Sequence, residues 1–189
     1  MNKLIKLTGV SAAALTAALY AASVTETVAK DTTTSSDLSG FTKVQLNTSS
    51  DINIKMGNSY SIEMVGDEER IANTILEVKG DTLKIKHKKG RHNYDNDQDM
   101  VINVVMPNIE EMQINGSGDA TVDGVNNAIL GLGINGSGDL IVSGKTEELE
   151  ISINGSGDIS MDEVDGKNVE ISINGSGDVM LDGGTCQSL

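Results

Sequence analysis

Residues 114–119, INGSGD, decide the fold because the chain repeats them at 134–139, 153–158 and 173–178. Consecutive copies begin 19 or 20 residues apart. Apolar and polar residues alternate on both sides of each copy, which is the period of a β-strand. The Gly-Ser-Gly-Asp segment is typical of a tight turn, since glycine adopts positive φ and aspartate accepts hydrogen bonds from nearby backbone N–H groups. Each unit is therefore predicted to be a strand, a tight turn, a second strand and a further turn.

The fixed period predicts a solenoid, in which successive coils stack as parallel strands about 4.8 Å apart. Aligned units place one apolar column inside the coil, formed by Ile114, Ile134, Ile153 and Ile173. The asparagines that follow are expected to form a ladder of side-chain amides: Asn115, Asn135, Asn154 and Asn174. A β-sandwich of meandering hairpins is the alternative. It explains the alternation but not identical turns at a fixed spacing.

The chain before the repeats is also predicted to be β, but irregular. Alternating runs fill most of residues 41–108, while Glu68 to Glu77 is predicted to be a short helix or loop. We therefore predict one all-β domain over 41–189, with the repeats at 109–189. Leu189 falls where Leu149 and Val169 begin a strand. The last coil is thus expected to be truncated or uncapped, with an edge open to self-association.

Residues 1–29 have the pattern of a secretory signal peptide. Lys3 and Lys6 precede an uncharged apolar stretch at 7–22, and small residues near 22–29 suit cleavage. A membrane anchor is the alternative, but a span needs about 18 to 20 apolar residues. Residues 30–40 form a polar lead-in. We predict export to the surface, the exterior or the periplasm of a bacterium, with no membrane span after signal removal.

The composition excludes several classes of partner. The 28 acidic residues outnumber the 14 Lys and Arg, for a formal net charge of −14, which disfavours nucleic acid and anionic membranes. One Phe, three Tyr and no Trp imply an aliphatic core. The single Cys186 cannot form an internal disulfide, and no His or Asp arrangement beside it indicates reactivity.

The mature sequence contains VGDEERIANTILEVKGDTLKIKHKKG at 65–90 and VINVVMPNIEEMQINGSGD at 101–119, and the GSGD repeats follow. With these segments it resembles the GIN-domain family of autotransporter adhesin heads. The resemblance extends from about Phe41 to the end of the chain. It implies a right-handed parallel β-helix located in or outside the bacterial envelope, and it brings no catalytic residues.

The aspartates of the four turns are the first candidate site. Stacked carboxylates repel, by about 0.9 kcal/mol in water for a pair 4.8 Å apart, so the column needs relief. We interpret these residues as structural turn residues relieved by backbone N–H groups or by water. Calcium is the alternative, since it prefers carboxylate and carbonyl oxygens. The calcium candidates are Asp119, Asp139, Asp158 and Asp178.

The segment KIKHKKGRHNYDNDQD, residues 84–99, is the second candidate. Lys84, Lys86 and Lys88 share one face of a predicted strand. We interpret the segment as a long hairpin whose basic arm faces an acidic arm, with His and Asp at a metal as the alternative. Exposed loops often carry binding residues, so the tip is a possible contact loop: Arg91, His92, Tyr94, Asp95 and Asp97.

These features predict an exported, non-catalytic binding module, an adhesin-type head with an unknown surface, matrix or glycan ligand and no cofactor. A periplasmic structural or stress protein without a dedicated ligand is the alternative. A polysaccharide-active β-helix enzyme is disfavoured, because Arg70 and Arg91 are the two arginines and no Trp is present for sugar stacking.

Overall fold

The computed structural model describes residues 32–89, 100–162 and 168–182, so the predicted signal peptide lies outside the described residues. Within these ranges the chain forms one short helix and thirteen strands, numbered in chain order. The helix is α1 (Glu68–Asn73), and the strands are β1 (Thr32–Ser36), β2 (Lys43–Asn47), β3 (Asp51–Met56), β4 (Ser61–Gly66), β5 (Thr74–Lys79), β6 (Thr82–His87), β7 (Met100–Met106), β8 (Glu111–Ile114), β9 (Ala120–Gly136), β10 (Leu140–Gly155), β11 (Ile159–Asp162), β12 (Asn168–Gly175) and β13 (Val179–Asp182).

All thirteen strands belong to one hydrogen-bonded sheet that curls around a single aliphatic core. The long strands β9 and β10 run from one row of strands into another, because their first and last residues pair with different neighbours. The first row contains β1, β4, β7, β3, the starts of β9 and β10, β11 and β13. The second row contains β5, β6, β2, β8, the ends of β9 and β10, and β12.

The repeats stack in parallel and in register, as predicted. Ile134 pairs with Ile153, which pairs with Ile173, and the following Asn and Gly residues keep the same register. Ile114, Ile134 and Ile153 are completely buried, whereas Ile173 in the last described coil is 45% exposed. The parallel pairing is not that of a sandwich of meandering hairpins.

The sheet as a whole is mixed, so a right-handed parallel β-helix over the entire domain is not confirmed. β4 pairs antiparallel with β1 and β7, and β5 pairs antiparallel with β6. The β5–β6 hairpin has a physical cause in its loop, since Gly80 has a φ of +66° and joins the strands through two residues, Gly80 and Asp81. The strands of successive repeats are parallel because the chain completes one coil and begins the next on the same side of the stack.

The prediction for Glu68 to Glu77 was right for its first half only. Asp67 caps α1, since its Oδ1 accepts hydrogen bonds from the backbone N–H groups of Glu69 and Arg70 at 3.0 and 2.9 Å. The chain then enters β5 at Thr74. β5 lies at the end of the second row, where a strand shows weak alternation because both of its faces are partly exposed.

The predicted hairpin between a basic and an acidic arm is wrong for its basic arm. Lys84 and Lys86 do alternate with buried Leu83 and Ile85, as predicted. However, β6 lies between β5 and β2, so both of its edges are already occupied. Lys86 pairs with Glu77 of β5 instead.

Among the described residues, no helix has the length and apolar character needed to cross a membrane.

Candidate functional site

The turn aspartates form a hydrogen-bonded column along the edge of the stack. The Oδ1 atoms of Asp119, Asp139 and Asp158 each accept a hydrogen bond from the backbone N–H of the aspartate one coil further, at 2.8, 2.9 and 2.7 Å. Backbone donors therefore relieve three of the four stacked carboxylates, those of Asp119, Asp139 and Asp158. The carboxylates connect the coils to one another.

The predicted asparagine ladder is confirmed. The Nδ2 atom of each asparagine donates to the Oδ1 atom of the asparagine one coil earlier. The distances are 2.9 Å for Asn135 to Asn115, 3.2 Å for Asn154 to Asn135 and 3.4 Å for Asn174 to Asn154. The ladder is thus tightest near the middle of the domain and loosens towards the last described coil.

Both columns begin one coil earlier than the sequence analysis placed them. Asn115 donates to Asn47 Oδ1 at 3.0 Å, and the backbone N–H of Asp119 donates to Asp51 Oδ1 at 3.1 Å. The turn 47–51, NTSSD, is therefore a first coil, with β2 and β3 on its two sides. The shared pattern Asn-x-Ser-x-Asp could have revealed it, but it lacks both glycines.

The missing glycines have a steric explanation. A Cβ atom on Gly116 would lie 2.5 Å from the carbonyl oxygen of Thr48, and one on Gly118 would lie 2.2 Å from that of Ser50. In the next coil, a Cβ on Gly138 would lie 2.1 Å from Gly118 O. Each turn glycine is therefore required by the carbonyl of the turn before it. The turn 47–51 carries Thr48 and Ser50 at the two positions that are glycine in the later turns.

The metal and contact-loop predictions are not tested by this geometry. Within residues 32–89, 100–162 and 168–182, no three His, Cys, Asp or Glu side chains come close enough together to hold a metal ion. Calcium at the aspartate column remains a prediction. The contact loop residues, Arg91, His92, Tyr94, Asp95 and Asp97, lie outside the described residues, as does Cys186.

A groove of about 650 Å³ lies on the solvent-facing side of the second row, across β2, β8, β9 and β10. We call it the outer groove. Its floor includes Gly131 and Gly133 of β9, and Glu111 of β8 and Glu150 of β10 flank it. Beside the floor, segment 127–129 carries an isoleucine, Ile129, that is 57% exposed. The predictions from sequence did not include this site, whose signal in the sequence is the LGLG run at 130–133.

The charges at the outer groove are unevenly paired. Lys43 Nζ lies 3.2 Å from an Asp81 carboxylate oxygen and 3.9 Å from one of Glu111. The hydrogen bond to Asp81 raises the pKa of Lys43, and the same bond lowers the pKa of Asp81. Glu110 accepts a hydrogen bond from the Thr42 hydroxyl at 3.0 Å. Lys43 therefore lies between two carboxylates, those of Asp81 and Glu111.

Glu150 contributes a further carboxylate to the outer groove. It is exposed and takes part in none of the ion pairs among the described residues. It lies in register with Glu170 of β12, so two like charges face solvent side by side. The outer groove is therefore acidic, with its excess charge on the β10 side.

Comparisons with known proteins find one family model and several solved structures that resemble this chain. Residues 40–189 match the family described as "Putative auto-transporter adhesin, head GIN domain". No curated protein matches the sequence. A "putative adhesin" from Bacteroides fragilis has a solved structure with a TM-score of 0.50 at 16% identity, covering 80% of this chain and 97% of that chain. A "putative adhesin" from Parabacteroides distasonis has a solved structure with a TM-score of 0.49 at 15% identity, and the match covers 82% of this chain and 98% of that chain. A "putative cell adhesion protein" from Clostridium sporogenes has a solved structure with a TM-score of 0.47 at 15% identity, and the match covers 82% of this chain and 100% of that chain.

Proposed function

The chain belongs to the GIN-domain family of adhesin heads, and on this basis we propose that it is an exported, non-catalytic binding module. The observation that carries the proposal is the outer groove. Most of its lining lies on paired strands, and sites on such elements hold their geometry with little reorganisation. In this proposal the repeats act as a short parallel solenoid whose role is to keep that face rigid.

The rigidity of the face has identifiable sources. Each coil is joined to the next by strand hydrogen bonds on both rows, and also by an aspartate bond and an asparagine bond at the turn. The glycine turns also stack so closely that a Cβ atom on Gly138 would lie 2.1 Å from the carbonyl oxygen of Gly118. A ligand that meets this face therefore costs the protein little conformational entropy on binding.

Protease shaving of intact cells tests the proposed location. An antibody to the mature domain would follow its loss, and an antibody to a periplasmic protein would report whether the outer membrane stayed closed. We expect the domain to be cleaved while the periplasmic control is protected. Protection of both proteins until lysis would contradict a surface adhesin and favour the structural alternative.

A structural role in the envelope is favoured by one observation, the last described coil. Its outward or edge residues include large apolar side chains, with Ile171 38% exposed, Ile173 45% and Met180 57%. In the described chain β12 pairs with β10 alone and β13 with β11 alone. A second copy paired at this edge would cover these residues, and light scattering over a concentration series would detect the dimer.

A further inference from the structure

Gly131 and Gly133 are unusual because nothing in the fold requires glycine at either position. Neither has a positive φ, and a Cβ would meet its nearest neighbours at ordinary contact distances, 3.6 Å from Glu111 Cγ and 3.5 Å from Gln113 Cγ. A glycine inside a strand weakens it, and often marks a place where a ligand or another backbone comes close. These two glycines remove side chains from the floor of the outer groove.

The residues beside the bare floor are set by strand register. Glu111 of β8 and Glu150 of β10 lie on either side of Gly131, while Gln113 and Ser152 lie on either side of Gly133. Neighbouring strands are about 4.8 Å apart, so the two glutamates flank a gap of about 10 Å between their Cα atoms. A flat or narrow charged group resting on Gly131 would reach both carboxylates.

The electrostatics of the gap favour a cation. Lys43 is the basic residue in the lining, against Glu110, Glu111 and Glu150, so the formal charge of the lining is −2. Glu150 and Glu170 stand in register, and like charges on adjacent strands destabilise a sheet. A bound cation would relieve that repulsion. The net charge of −14 over the whole chain adds long-range attraction for a basic partner.

We propose that the outer groove binds an arginine side chain presented by an extended segment of a partner protein. The guanidinium lies over Gly131 between Glu111 and Glu150, and its methylene stem lies along Ile129. Arginine suits this site better than lysine because its planar group stacks on a flat surface and forms paired hydrogen bonds with carboxylates. The proposal rests on the binding function proposed above and names its partner class.

Titration of the labelled mature chain with tri-arginine, followed by amide NMR, tests the proposal. We expect the largest shifts at the amides of Gly131 and Gly133 and saturable binding. Glu150→Gln should weaken binding about tenfold, as for loss of one charge-assisted contact. Glu63→Gln is the matched control, since Glu63 is also exposed but lies on β4 in the first row. Tri-glutamate should cause no shift.

Gly131→Thr separates binding from folding. The new side chain lies on the groove floor, and its Cβ atom would have no neighbour closer than 3.6 Å, so binding should be lost while the free energy of unfolding is kept or increased. Equal weakening by Glu63→Gln and Glu150→Gln, or shifts spread over all acidic surfaces, would overturn the proposal. Absence of tri-arginine binding would also overturn it, whereas the binding function itself is judged separately by the shaving experiment.

Discussion

The glycines of the turns and the glycines of the outer groove lie in the same coils but have opposite roles. A Cβ on Gly138 would lie 2.1 Å from a backbone carbonyl oxygen, whereas one on Gly131 would have no neighbour closer than 3.6 Å. The turn glycines are therefore required by packing between coils. The groove glycines cost stability without any packing reason. Glycine in a repeat thus indicates function only where a side chain would have fitted.

The largest effect expected from this comparison is at the turns. Gly138→Ala forces the backbone of two stacked turns apart, so we expect the free energy of unfolding to fall by about 3 kcal/mol or more. Urea denaturation followed by circular dichroism measures the change. Ser137→Ala, on the exposed neighbouring residue, is the control and should change stability by less than about 0.5 kcal/mol. Similar costs for both variants would contradict the steric explanation.

A smaller loss is expected from the carboxylate column. Asp158→Ala removes the acceptor for the N–H of Asp178, which should cost about 1 kcal/mol. Asp158→Asn keeps an oxygen in place and should cost less. The same denaturation in calcium and in EDTA tests the calcium prediction. A stabilisation by calcium that both variants abolish would show that a metal, and not the N–H alone, holds the column.

The groove glycine should respond with the opposite sign. Gly131→Thr replaces a flexible residue in a strand by one that favours strands, so we expect a gain of about 0.5 to 1 kcal/mol. The midpoint of urea unfolding measures it. Gly133→Thr provides the matched comparison on the same face of β9. A loss of stability at both positions would mean that the groove floor is packed more tightly than the contacts indicate.

The smallest effect concerns the exposed Lys43–Asp81 pair. The pKa of Asp81 is lowered by its hydrogen bond to Lys43, so the stabilisation is present above the ordinary value of 3.8 and disappears as pH falls through the lowered value. The melting temperature of Asp81→Asn should be slightly below that of the parent at about pH 7, and the two should converge once the pH lies below the lowered pKa of Asp81. The control variant Glu63→Gln should not show this pH-dependent difference in melting temperature, because it leaves the Lys43–Asp81 pair intact.

The repeat pattern predicted the parallel stack, the register and the asparagine ladder, because identical residues at a fixed spacing can satisfy one another only in that arrangement. The first coil was missed since glycine was treated as the mark of the turn, whereas Asn47 and Asp51 carry the contacts. β5 was missed because an edge strand alternates weakly. The outer groove could not be predicted, since it depends on which strands lie on either side of Gly131.

The identical hydrogen bonds between successive coils have a consequence for the length of the molecule. Asp119, Asp139 and Asp158 form the same bond with the coil that follows, so a duplicated or deleted unit would leave two compatible surfaces in contact. Gene duplication could thus change the height of such a protein in steps of about 4.8 Å without redesign of the core.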